Sequence, residues 1–263
     1  MKGSWGQVRV GRDAQGHLEA VLENHRLRVR YGLKYPKYPD DEVESVITDL
    51  VLQDAPQVNQ AGHLMDAAAW RAPLTRAEIK QDTLSVKTVH LEWAGQRQYP
   101  GAAADVSIYP DGPFVRTDYL SWCVNVVDIG WPGGTRTAAE YVIYGADAWK
   151  RGQLLYPQVY FDRWPGDIGH ENVTEVDDPG PLDYHGWFIM GVYNPANGIG
   201  YGQVVPVEAV DVIKLLKFER DGMGFELFPY FHRPHQPFRG YLYAVTGGAQ
   251  EIISLGQRLA DDI

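Results

Sequence analysis

Between Tyr160 and Trp187 the chain reads YFDRWPGDIGHENVTEVDDPGPLDYHGW, its densest run of groups able to move protons. Asp162, Arg163, Trp164, Asp167, His170, Glu171, Asp183, Tyr184, His185 and Trp187 all fall inside it. General acid–base chemistry needs a histidine or carboxylate within reach of a second ionisable group, and this segment supplies both. Long irregular segments between strands are also where sites sit on a rigid scaffold. The plainer account is a solvated loop whose aspartates cap turns. Tyr184 and His185 are adjacent, so on an extended strand they point to opposite faces. As an acid–base pair they suit β-elimination of a uronate, with Arg163 or Arg233 neutralising its carboxylate.

A second stretch, FELFPYFHRPHQPFRG, runs from Phe225 to Gly240. Glu226 sits between Phe225 and Leu227 on a predicted strand, and alternation alone does not decide which face it takes. His232 and His235 stand three apart, a spacing that a helix would place on one face. Pro234 and Pro237 oppose a helix here, so only a turn lets the two imidazoles converge. Such a turn is a stiff hairpin loop, the rim of a sugar cleft, or part of a metal site completed by a carboxylate. Arg233 within the turn and Arg239 after it offer cations.

No metal and no cofactor are predicted. His170-Glu171-Asn172 lacks the second histidine of a zinc helix, because position 174 is Thr. WPGGTR from Trp131 is no phosphate loop, and GIGYGQ from Gly198 lies between strands, where its glycines mark a bulge or a close approach of backbones. No G-x-S-x-G elbow occurs.

The net charge of -10 argues against a nucleic-acid partner and, less strongly, against a polyanionic substrate. Cys123 is the one cysteine, which rules out an internal disulfide and reads as a buried structural thiol. No apolar run is long enough for a membrane span, so no membrane partner is expected. The start, MKGSWGQVRVGRD, lacks the apolar core of a signal peptide, so the expectation is a cytoplasmic protein or a secreted one without its leader. Eight Trp and sixteen Tyr stand against eight Phe. Flat faces with polar edges suit carbohydrate clefts, sheet cores and protein interfaces alike. Oligomeric state is left open.

These side chains must be positioned by strands. WGQVRVGRD, HLEAVLENHRLRVRYG (two strands about Asn24-His25), LSVKTVHLEWA, ADVSIYPDGPFVRTDYLSWCVNVVDIGW (two strands about Pro110–Pro113), GWFIMGVYN, IGYGQVVPV, VIKLLKFER, GFELFPYF, GYLYAVTGG and EIISLGQRL all read as strands or strand pairs. In total about fifteen candidate strands recur at short intervals, with Pro-Gly, Asn-Gly and Asp-Gly punctuation. An Ala-rich stretch and a Thr75-x-x-Glu78 capping box predict a short helical excursion near residues 60–82. The expected fold is all-β: one large two-sheet antiparallel β-sandwich domain over residues 1–263.

The order YHGWFIMGVYNPANGIGYGQVVPV, IKLL, GFELFPYF, GYLYAVTGGAQEIISLGQRLAD, with LENHRLRVRYG early in the chain, resembles the galactose-mutarotase-like β-supersandwich superfamily of carbohydrate-active proteins. The resemblance is one of pattern over the whole chain and carries over no catalytic residue. It implies a sugar-facing cleft on a concave sheet.

The sequence therefore predicts a carbohydrate substrate. Glycosidic-bond cleavage by two carboxylates comes first, with Glu226, Asp162, Asp167 and Glu171 as candidates. His185, Tyr184 and His232 are further catalytic candidates. Trp164, Trp187, Arg163, His170, His235 and Arg233 are candidates for binding substrate. A lyase or epimerase using the Tyr184/His185 pair is one alternative, and a non-catalytic carbohydrate-binding module is the other.

Overall fold

The computed structural model describes residues 5–35, 44–59, 63–64, 73–94, 101–121, 125–130, 140–145, 159–161, 174–175, 187–194, 197–206, 212–218, 222–228 and 237–262. Among them the chain forms two antiparallel sheets and one helix. Sheet I has the order β1 (Gly6–Arg12), β2 (Leu18–Asn24), β3 (Leu27–Lys34), β4 (Glu44–Leu52), β5 (His63–Leu64), β10 (Asn125–Gly130), β17 (Gly222–Phe228), β16 (Val212–Phe218) and β13 (Thr174–Glu175). Sheet II has the order β12 (Val159–Phe161), β11 (Glu140–Gly145), β14 (Trp187–Asn194), β15 (Ile199–Pro206), β18 (Phe238–Thr246), β9 (Phe114–Tyr119), β8 (Ala102–Ile108), β7 (Lys87–Trp93) and β6 (Leu74–Asp82). The all-β sandwich expected from the sequence is the fold observed.

Side chains that imitate the backbone set the hairpins. Asp13 Oδ1 accepts the N–H groups of Gln15 (3.0 Å) and His17 (2.8 Å), closing the β1–β2 turn. Asn24 does the same for Arg26 (2.7 Å) and Leu27 (2.6 Å) between β2 and β3. Its amide nitrogen also donates to the carbonyls of Tyr109 (2.6 Å) and Gly112 (2.8 Å), in the turn between β8 and β9. One buried asparagine thus ties a turn of sheet I to a turn of sheet II.

Alternation supplies the main core. Val89, Leu91 and Trp93 of β7 and Ala104, Val106 and Ile108 of β8 meet Ala20 and Leu22 of β2, Val29 of β3, and Ile47 and Leu50 of β4. A second apolar layer lies on the opposite face of sheet II. There Ile189, Val204, Tyr241 and Tyr243 pack against helix α1 (Ala249–Ala260) through Ile252, Ile253, Leu255 and Leu259.

This helix corrects the expectation that EIISLGQRL is a strand. Ala249, Ile252, Ile253, Gly256 and Leu259 recur at helical spacing, which gathers them on one side. Glu251 accepts the Gly248 N–H at 2.7 Å and opens the first turn, and Arg258 stands in the last turn, where the helix dipole favours a cation.

The predicted helical excursion is corrected over 74–82, where the chain is strand β6. Thr75 Oγ1 donates to the Glu92 carbonyl across the ladder (3.2 Å), and Glu78 pairs with Arg76. Ladder pairing with β7 prevails over the local capping signal, which is worth only about 1 kcal/mol. The remainder of that excursion lies outside the described residues, apart from the two-residue β5. ADVSIY…DIGW contains three strands, β8, β9 and β10, where two were expected. Cys123 lies outside the described residues. No helix among the described residues is long and apolar enough to cross a membrane.

Candidate functional site

Asp162, Arg163, Trp164, Asp167, His170, Glu171, Tyr184, His185, His232, Arg233 and His235 lie outside the described residues. Trp187 opens β14 in sheet II, half-buried against the apolar layer under α1. Glu226 lies in β17, in sheet I. Arg239 is engaged on the outer side of sheet II, its Nε donating to Asp118 Oδ1 at 2.7 Å.

The strand register resolves the face that alternation left open for Glu226. Ile47, fully buried in the main core, stands opposite Leu64, and Leu64 stands opposite Val127. Val127 faces Phe225, Phe225 faces Leu215, and Leu215 faces Thr174. One row of the sheet therefore runs from the core residue Ile47 through Phe225 to β13. The next row is Val126, Glu226, Lys214 and Glu175. The row on the other side is His63, Asp128, Gly224 and Leu216. With a side-chain period of two, both flanking rows share one face and alternate with the core row.

Five ionisable residues thus gather on the two flanking rows: His63, Asp128, Glu226, Lys214 and Glu175. They come from five different strands, β5, β10, β17, β16 and β13. Asp128 is diagonal to Glu226, a backbone spacing of roughly 7–8 Å. Glu175 and Glu226 are two strands apart, roughly 10 Å at 4.7–4.9 Å per strand. Three carboxylates, an ammonium and an imidazole on neighbouring rows are the ingredients of acid–base chemistry on a neutral substrate.

Of these five, only Glu226 was singled out from the sequence. Asp128 had a faint signal as the one carboxylate in the apolar run VNVVDIGW, and Glu175 lies within the 160–187 segment. Thr174–Glu175 pairs with β16, which pairs in turn with the strand of Glu226.

Three other polar clusters are closed on themselves. On the outer face of β7 and β8, His90 Nδ1 bonds Asp105 (2.7 Å) and Nε2 bonds Glu92 (2.9 Å). Lys80 then pairs with Asp105 (2.9 Å) and Arg76 with Glu92 (3.1 Å). The bond to His90 holds the Glu92 carboxyl below its ordinary value; burial opposes this and Arg76 reinforces it. Each carboxylate here has its partners, so the cluster braces three strands. Near the end of α1, Asp118 joins Arg239 to Arg116 (3.0 Å), and the Tyr241 hydroxyl donates to Asp262. Burial first, then Asp262, pushes that hydroxyl far above the ordinary tyrosine value.

At the β1–β2 turn, His17 Nδ1 donates to the Tyr35 hydroxyl (2.6 Å), which donates to Asp13 Oδ2 (2.7 Å). Burial and then Asp13 push Tyr35 up to about 12, too high for a base at neutral pH. Burial tends to raise Asp13, and the bonds from Tyr35, His17 and Gln15 outweigh it, leaving the carboxyl below its usual range. Among the described side chains no group of three or more His, Cys, Asp or Glu is placed to hold a metal ion.

No protein-family model matches the sequence, and a search of curated proteins finds no match.

Proposed function

We propose that this protein is a carbohydrate-processing enzyme that cleaves glycosidic bonds, with Glu226 at the centre of its site. The observation that supports this reading most is the register of sheet I. It sets Glu226 in one row with Lys214 and Glu175 and diagonal to Asp128. The chain's wealth of Trp and Tyr agrees with a sugar ligand, since such rings stack on C–H faces while their edges bond hydroxyls. An acidic protein is consistent with a neutral substrate rather than a polyanion. Cleavage needs one carboxyl group to protonate the leaving oxygen and another to serve as base or nucleophile.

The test is turnover on a panel of neutral oligo- and polysaccharides, comparing the intact protein with Glu226→Gln. The reading expects cleavage of at least one substrate by the intact protein and its loss in the variant. Binding without cleavage by the intact protein would make this a carbohydrate-binding module instead. Unsaturated products absorbing near the ultraviolet edge would make it a lyase. Cleavage that survives in Glu226→Gln would move the site elsewhere.

A further inference from the structure

We infer that β6, the edge strand of sheet II, pairs with β6 of a second copy of this chain, antiparallel about a two-fold axis at Ile79. Strand β6 ends the order of sheet II and is laddered to β7 on one side. From Thr75 to Asp82 every residue is exposed except Ala77, which is half-buried. The free side of an edge strand carries unpaired N–H and C=O groups, a template for another strand. Ile79 stands opposite the core residue Val89, yet it is 42% exposed, at the open rim of the sandwich.

The charges of β6 select the partner. Charged side chains and bulges keep an edge from pairing indiscriminately, and β6 has both. It carries Arg76, Glu78, Lys80 and Asp82, with irregularities in the ladder at Thr75 and Lys80. Antiparallel strands related by a two-fold axis share one sheet face, so the axis passes between two copies of the same residue. An axis at Glu78 would oppose Glu78 to Glu78 and Arg76 to Lys80. An axis at Lys80 would oppose Lys80 to Lys80 and Glu78 to Asp82. At Ile79 the axis sets Glu78 against Lys80 and Arg76 against Asp82, so every charge of the strand meets the opposite sign. Axes at Ala77 or Gln81 match a single couple of charges, Arg76 with Glu78 or Lys80 with Asp82, and shorten the ladder.

The central couple is placed for this role. Glu78 stands opposite His90, and Lys80 Nζ donates to Asp105 at 2.9 Å, so both side chains lie on the outer face of sheet II. An ammonium has three N–H groups, and the bond to Asp105 uses one. Glu78 accepts from Arg76 at 2.5 Å through Oε2, and its carboxylate has a second oxygen. Asp82 lies beyond the irregularity at Lys80 and turns to Lys87, so the Glu78–Lys80 pairs carry the selection and Arg76–Asp82 adds to it. The dimer joins both copies of sheet II into one continuous sheet, and the two Ile79 side chains cover each other at the axis.

The experiment is sedimentation equilibrium of the full chain over a wide concentration range. Glu78→Lys, Lys80→Glu, the two changes combined in one chain, and an equimolar mixture of the two single variants are run alongside. The intact protein is expected to dimerise. Each single variant opposes like charges across the axis and should weaken association about tenfold or more. The combined variant restores opposite signs and should recover the association of the intact protein. The mixture should recover it too, because the positive edge of Glu78→Lys meets the negative edge of Lys80→Glu. Mixing cannot repair a bond lost within one chain, so recovery in the mixture separates pairing between copies from a brace inside one. Melting curves identify a variant that fails to fold. An intact protein that stays monomeric at every concentration overturns the inference. Dimerisation that the folded single variants leave unchanged, or a mixture that associates no better than its parts, overturns it as well.

Discussion

Across β14, β15 and β18, the outer face of sheet II presents glycines and apolar side chains to helix α1. Across β5, β10, β17, β16 and β13, the sheet I rows out of step with the core carry His63, Asp128, Glu226, Lys214 and Glu175. The two regions use the same alternation for opposite ends. On sheet II the second set of positions is spent on a further apolar layer. A Cβ on Gly202 would lie 2.2 Å from the Tyr243 ring, and one on Gly256 would lie 2.6 Å from the Tyr243 hydroxyl. The helix seats only because those side chains are missing. On sheet I the equivalent positions hold charge-bearing residues, which no packed layer tolerates without partners. On the proposed reading, the sandwich would divide stability from function between its two sheets.

That division can be broken in order of effect. The largest change is expected on sheet I, where Glu226→Gln should lower kcat about 10²–10⁴-fold, or about 3–5 kcal/mol in the barrier, while the melting temperature stays close to that of the intact protein. Equal losses of activity and stability would erase the contrast. The next is Gly202→Val, which forces a branched side chain into the Tyr243 ring. A destabilisation of about 3 kcal/mol is expected in urea unfolding, with the activity of the remaining folded protein unchanged. No shift in the urea midpoint would show that the helix does not seat on Gly202.

A smaller effect belongs to Tyr243→Phe. The buried hydroxyl donates to the Ile252 carbonyl at 2.8 Å, and its loss should cost about 1 kcal/mol.

The smallest lies away from both faces, in the β1–β2 brace. Tyr35 is pushed up to about 12 from its ordinary value, so the folded protein holds that proton more tightly than the unfolded chain. Its contribution to stability is full below about pH 10 and fades as pH rises toward 12. Tyr35→Phe should flatten the alkaline fall of the urea midpoint over that window; an unaltered slope would count against the bond to Asp13. Asp13 has the opposite sign. Its carboxyl is lowered, so its contribution is present above the ordinary aspartate value and is lost as pH falls through the lowered one.

Much of the fold was legible because its signals are local. Asp13 and Asn24 mark hairpin turns by bonding their own neighbours, and the alternation of KTVHLEW fixes which residues of β7 face the core. GIGYGQ reads as a bulge or a close approach of backbones, whereas the groups that approach Gly200 and Gly202 are side chains, those of Ile252 and Tyr243. Two errors came from short windows. The adjacent Ile252 and Ile253 read as a strand, although the spacing out to Leu259 is helical. The capping box at Thr75 read as a helix, although β7 supplied a ladder that outweighs it.

The candidate site was legible at Glu226 alone. His63, Asp128, Glu175 and Lys214 come from distant parts of the chain, and the order β5-β10-β17-β16-β13 that aligns them is set by long-range pairing. No periodicity within a strand encodes which strand lies beside it.

The most direct measurement is amide hydrogen exchange on Glu226→Gln, with and without a neutral oligosaccharide that the intact protein cleaves. Slowed exchange in β10, β16 and β17, with β14, β15, β18 and α1 unchanged, is the predicted result. Protection confined to the helix-covered side, or to the His90 cluster on β7 and β8, would contradict the placement of the site on sheet I.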